Sequence, residues 1–240
     1  MSAYAGTGFR GEPKPWSPAH CVRFVARTSR LVDLTRAASP GETTWARFAP
    51  ADAGGALLAF ESDFTPIELV AELFDAYLAD EGLVGALTAR RHAATHGPGR
   101  ERYRRCAKTW LAGGDITRAT AVLGLPLEIV PLGLPGSAAS LRVRVLLDGK
   151  PLAGARVKTW RSPLAATGAP LDAAVRDSVA MTWESSTDGR GELVVPCKAS
   201  GEWLVSVVDM QPCRETKMAD WESTWASLTF ARLPEKRAAR

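Results

Sequence analysis

Cysteine and histidine are both scarce in this chain, with four and three copies among 240 residues. Cys21, Cys106, Cys197 and Cys213 form no Cys-x-x-Cys pair, so the spacing that builds structural zinc sites is absent. Cys197 and Cys213 flank a hairpin around Ser200-Gly201. Simple antiparallel register sets Cys197 opposite a residue near Trp203, so no bridge between the two is expected. No apolar run approaches the roughly 18 residues of a membrane helix, so no membrane span is expected. No basic-then-apolar leader follows Met1, and the chain as written is expected to be soluble and cytoplasmic. Gly113-Gly114 lacks the Lys-Ser/Thr of a phosphate loop. Neither a Gly-x-Ser-x-Gly nor a Cys-His-Asn arrangement is present, so no enzyme is expected. The net charge of +4, from 30 basic and 26 acidic residues, is too mild to argue for nucleic acid.

Apolar residues make up 46% of the chain, enough for one large or two ordinary domains. "HCVRFVA" (20–26) alternates, with Val22, Phe24 and Ala26 on one face. "TTWARFA" (43–49) and "ALLAFES" (56–62) are further strand candidates between Pro and Gly punctuation. Thr65-Pro66-Ile67-Glu68 reads as a capping box, and Ile67, Val70, Phe74, Tyr77 and Leu78 follow at helical spacing, predicting a helix that ends near Gly82. A second helix is predicted from Arg100. Tyr103, Ala107, Trp110 and Leu111 would form its apolar side, and Arg100, Arg104 and Lys108 its wet side. The basic cluster from Arg90 to Lys108 then reads as a solvated helix face, with no exposed aromatics interleaved for a single-stranded nucleic acid.

"GLPLEIVPLGLPG" (124–136) is a short strand bracketed by prolines, followed by a linker near Ser137. Beyond it the texture is all β. "SLRVRVLLDGKPLAGARVKTW" (140–160) is strand, Asp-Gly turn and strand. "STDGRGELVVPC", "GEWLVSVVDM" and "STWASLTFARL" add further strands. Residues 162–182 read as a long loop. The predicted fold is mainly β with some α: a mixed β/α domain over 1–137, an Ig/transthyretin-like β-sandwich over 138–234, and a basic tail over 235–240. "SAYAGTGFRGEPKPW" (2–16) reads as a turn between two strands, which leads to the expectation that the first domain lacks its first strand.

"GKPLAGARV" and "TDGRGELVVP" resemble carboxypeptidase-regulatory-like and Cna B-type modules, which implies a transthyretin-like fold. "LAFESDFTPIEL", "FDAYLADEGL", "RERYRRCAKTWL", "GLPLEIVP", "GEWLVSVVDM" and "DWESTWASLTF" occur in one order over roughly residues 6 to 232. Together they resemble a bacterial family of exported proteins, a domain of unknown function once labelled as a nickel-uptake component (NikM-like). That resemblance implies a periplasmic, non-enzymatic accessory or binding protein of the cell envelope. It also implies a divalent transition metal (nickel or cobalt) as cargo, and an envelope protein or metal-transport component as partner. The chain departs from the family where relatives carry a histidine-containing stretch before the "GxxFxGE" turn, here Gly6 to Glu12. It departs again where they carry "VHM", here Val208-Asp209-Met210.

Two metal sets suggest themselves from the residues. His92 and His96 stand at i, i+4, although Gly97, Pro98 and Gly99 end any helix there and leave solvent-exposed histidines as the plainer reading. Asp209, Asp220 and Glu222 could converge where one strand ends and the last begins, offering oxygen ligands to a hard cation, with solvation of a strand edge as the alternative. The chain has eight tryptophans. Trp221 and Trp225, four apart on a predicted strand, share a face, which gives the alternative function: an interaction module binding a protein or glycan partner through the sandwich. Cys106 lies among arginines that favour a thiolate, but without a catalytic partner it reads as a semi-buried helix cysteine.

Overall fold

The computed structural model describes residues 2–93, 97–164 and 178–234. The chain opens with a hairpin of β1 (Ala3–Ala5) and β2 (Glu12–Lys14), followed by β3 (Cys21–Arg27), β4 (Leu31–Asp33), β5 (Ala56–Ser62) and β6 (Thr65–Leu69). Two helices follow, α1 (Ala71–Asp80) and α2 (Val84–Arg91), then the long strand β7 (Gly99–Leu111), the helical turn α3 (Ile116–Ala119) and β8 (Leu127–Pro131). Next come β9 (Ser140–Leu147), β10 (Lys150–Pro151), β11 (Arg156–Ser162) and β12 (Met181–Ser186). Strands β13 (Glu192–Pro196), β14 (Gly201–Pro212) and β15 (Trp221–Arg232) close the described part.

Nine of these strands form one sheet, ordered β12-β11-β14-β15-β7-β5-β3-β4, with β6 joining β7 beyond the end of β5. In this sheet β15 and β7 run parallel. In a second sheet β9 pairs with β8, β10 and β13. Asp148 (φ 48°) and Gly149 (φ 76°) both sit left-handed, as a tight turn between β9 and β10 requires. The protein is thus mainly β with a few helices, as its turn signals and alternation led one to expect.

The two sheets pack face to face around the principal core. Trp203, Val205 and Val207 of β14 and Leu228 and Phe230 of β15 meet Leu141, Val143 and Val145 of β9. Strands on either side of Ser137 share both sheets, through β15 with β7 and β9 with β8, and both contribute to this core. Within it Lys108 and Glu128 form an ion pair at 2.8 Å, each side chain 1% exposed. Glu128 Oε1 also accepts from the Leu123 N–H at 2.8 Å, and Oε2 accepts from Gly124 (2.9 Å) and Leu125 (3.2 Å). One carboxylate therefore pins the segment that carries the chain from β7 to β8.

The other face of the large sheet is covered in pieces. Phe74 and Leu78 of α1 and Ala86 of α2 seal one end against Met210 and Trp221. Trp16, Phe24, Trp45 and Leu58 build an aromatic cluster at the β3–β5 side. Between these two lies the β1–β2 hairpin. The glycine-rich opening stretch is its turn, and the upstream strand is Ala3–Ala5, in register with Glu12–Lys14.

The structure departs from the local sequence pattern in several places. Residues 65–69 form strand β6 against β7, not a helix start, and α1 begins at Ala71 without a side-chain cap. Thr65-Pro66-Ile67-Glu68 has the letters of a capping box, but extended pairing with Gly99–Tyr103 wins. Residues 99–111 form β7, not an amphipathic helix. This strand is central and covered on both faces, so apolar alternation is lost, and two of its charges are held by distant partners: Arg102 by Glu222, Lys108 by Glu128. Residues 43–49 form no strand, although Trp45 and Ala46 are buried. Val22 sits at a register shift in β3 and is exposed, away from Phe24 and Ala26. All four thiols are free, and Cys106, on β7 and not on a helix, is buried with Cys197 and Cys213. Most of the expected loop at 162–182 (residues 165–177) and the basic tail at 235–240 lie outside the described residues.

Candidate functional site

Strand register lays out a floor on the hairpin-covered face of the large sheet. One row crosses five strands as Phe60, Ala107, Ser227, Ser206 and Lys158. The next runs Leu58, Thr109, Thr229, Leu204 and Trp160. Hydroxyl groups thus occupy the middle, with aromatic rings toward either side. On the other side of the first row, Arg105 stands beside Trp225. Small and polar side chains in the middle leave the floor low, and the hairpin spans it. The result is a cavity of about 660 Å³, roofed by Tyr4, Gly8 and Phe9 with Trp45 and Phe48 at one wall. Its volume falls within the roughly 300–1,000 Å³ of small-molecule sites, and the mix of aromatic walls with a few placed polar groups is typical of them.

The roof is anchored at two points. Gly8 adopts φ +63°, and a Cβ there would lie 2.6 Å from the Trp160 indole Nε1, so the turn rests directly on that ring. Trp45 Nε1 donates to the Lys14 carbonyl at 2.7 Å, fastening β2 to the wall.

The helix-facing end of the cavity is polar. Tyr77 of α1 stacks on Trp225 with centroids 5.8 Å apart and planes 14° from parallel. Its hydroxyl donates to Glu101 Oε1 at 3.4 Å, and the buried Ser223 hydroxyl donates to the same oxygen. Burial pushes the Glu101 carboxyl above its ordinary range, and it pushes the Tyr77 phenol up as well. Glu81, at the cavity wall, accepts from Lys158 Nζ at 2.9 Å, with Asp80 sharing the ammonium at 2.6 Å. The Arg105 guanidinium lies 5.3 Å from the Tyr103 ring centroid and 5.9 Å from that of Trp225. Its Nε is buried without a hydrogen-bond partner.

The expected site residues are scattered relative to this cavity. His92 caps the end of α2 in solvent, and His96 lies outside the described residues. Asp209 and Glu222 share the opposite face of the sheet, on neighbouring strands. Asp209 accepts from Gln211 at 3.2 Å, and burial pushes its carboxyl up. Glu222 is held by Arg102 through two hydrogen bonds of 2.9 and 2.6 Å, and Asp220 faces Arg100 at 3.6 Å. Among the described residues no group of three or more His, Cys, Asp or Glu side chains is placed to hold a metal ion. Trp221 and Trp225 do share a face, but it is a covered one: Trp221 packs under the helices and Trp225 under Tyr77 at the cavity edge. Sequence reasoning missed Arg105, Ser206, Ser227 and Trp160. The available signal in 105–109 was its period-two spacing, which the helical reading of 100–111 hid, while 225–229 lies on a strand that was expected.

No curated protein matches this chain. The model of the domain of unknown function DUF4198 matches residues 3–211, most of the described hairpin, large sheet and small sheet, and the chain belongs to that family.

Proposed function

We propose that this protein is a non-enzymatic binding protein of the cell envelope that holds a small, mainly apolar molecule in the cavity beneath its N-terminal hairpin. The observation that carries this reading is the roofed cavity of about 660 Å³ with aromatic walls and a hydroxyl-lined floor. Among the described residues neither Ser206 nor Ser227 has a histidine or carboxylate on its hydroxyl, which favours binding over catalysis. Burial pushes the nearby Cys106 thiol up to about 11, away from a nucleophile's range. The envelope placement rests on the resemblance to exported relatives.

The same resemblance carries nickel or cobalt cargo, but the donors do not fit it. Glu222 and Asp220 are engaged by arginines, and Asp209 is drawn toward its neutral form. An organic ligand suits the walls better.

The test is titration with phenylnaphthylamine, an uncharged fluorophore that brightens in apolar sites. A saturable signal is expected at one site per chain. Ser227→Trp, which fills the middle of the floor, abolishes it while leaving the thermal transition in place. Absence of a saturable signal, or full retention in S227W, overturns the reading.

A further inference from the structure

We infer that the cavity selects an organic anion: an apolar body carrying one oxyanion group, carboxylate in kind, seated on the Arg105 guanidinium. This deepens the proposed binding function and rests on it.

Arg105 is in register with Trp225 and points to the same face as Ala107 and Thr109, so its head enters the cavity at the end nearest α1. Tyr103 and Trp225 flank the guanidinium, which orients a planar fork but satisfies none of its N–H donors. Its Nε is buried without a partner, and among the described residues no carboxylate forms an ion pair with it. Arg105 is half-buried, with its Nε closed off from water and its charge unmatched by any ion pair among the described residues, and an arginine fork matches a carboxylate's two oxygens.

The acidic groups near the cavity do not fill that role. Glu101, four residues back on the same strand face, feels the Arg105 charge but forms no ion pair or hydrogen bond with it: its Oε1 is occupied by Ser223 and Tyr77, and burial outweighs the attraction and disfavours its charge. Glu81 is taken by Lys158. Glu202 lies three cross-strand rows from Arg105, or about 20 Å along the strands at roughly 3.3 Å per residue. An anion placed at Arg105 therefore extends its body over Ala107, Ser206 and Ser227 toward Leu204 and Trp160. The hydroxyls there can meet a polar substituent, and the rings take the apolar part.

The experiment compares two fluorophores that differ in one group, anilinonaphthalene sulfonate and phenylnaphthylamine, on the full chain. Expected is a preference of at least tenfold for the sulfonate, about 1.4 kcal/mol. Decanoate should displace the bound probe at concentrations at least tenfold below those of decanol. Arg105→Gln removes both preferences, and Arg105→Lys, which keeps the charge but not the fork, retains part of them. If circular dichroism shows Arg105→Gln unfolded, Arg105→Lys and the wild-type decanoate–decanol ratio decide. Equal affinity for the two probes in the wild type, with saturable binding of both, overturns the anion site and leaves the cavity reading standing. A preference that survives Arg105→Gln overturns it as well. Binding of neither probe overturns the cavity reading and the anion site together.

Discussion

Replacing Glu128 by alanine should unfold this protein far more readily than loss of a surface ion pair would. Its carboxylate accepts from Lys108 Nζ and the Leu123 N–H through one oxygen, and from the Gly124 and Leu125 N–H groups through the other. Truncation leaves a buried ammonium and three backbone donors without that acceptor, in a site where both partners are 1% exposed. Burial already pushes the Lys108 pKa down, and Glu128 is what opposes it. Breaking such a pair costs about 3–5 kcal/mol, whereas an exposed pair is worth about 0–1 kcal/mol. At about 2–4 °C per kcal/mol for a chain of this size, the melting temperature should fall by roughly 6–20 °C. Differential scanning calorimetry of the wild type, Glu128→Ala and the double variant Lys108→Met/Glu128→Gln would measure it. The double variant keeps one side-chain acceptor oxygen near the N–H groups and removes the cation, so it should recover part of the loss. A drop of less than about 1 kcal/mol in Glu128→Ala would refute the reasoning, because that is the behaviour of a solvated pair.

Other expectations follow from the same structure. Gly8→Ala places a Cβ against Trp160 in a left-handed conformation. It should lift the hairpin, seen as faster proteolysis near the N-terminus and an apolar-probe affinity at least tenfold lower, about 1.4 kcal/mol; unchanged proteolysis would contradict the packing. Because burial raises the Glu101 pKa above the ordinary 4.5, its stabilising effect is present below that value and is lost as pH rises through the folded-state value. The wild type should therefore lose stability relative to Glu101→Gln on going from pH 4 to pH 7, and a difference that stays flat or grows in the wild type's favour would show Glu101 settled as an anion. Cys21 and Cys106 have pKa values pushed up to about 11, so at neutral pH the native protein should react slowly with a thiol reagent and the unfolded protein at all four cysteines.

The sheet architecture was legible where one face of a strand meets a core and the other meets solvent or a turn punctuates it. Leu141, Val143 and Val145 alternate with Arg142 and Arg144, and Asp148-Gly149 marks the turn. The helix over Phe74 and Leu78 was legible by its spacing and its stop at Gly82. Strand β7 was not, because it lies in the middle of the sheet with both faces covered. Its Lys108 and Arg102 are placed by partners 20 and 120 residues away in sequence, which no local window contains. The site was hidden for the same reason. Arg105, Ser227, Ser206 and Trp160 lie on four strands and become neighbours only through register. The acids and His92, which attract attention in a sequence, are engaged by arginines, half-buried or exposed.

The cavity geometry predicts a ligand between the hairpin and the floor of the large sheet. A crystal structure of the protein with a brominated naphthylamine tests it most directly, through the anomalous signal of the bromine. A single strong peak is expected among Phe60, Trp45, Trp160 and Ser227, lost in S227W. A peak only on the outer surface, or none at saturating probe, would contradict it.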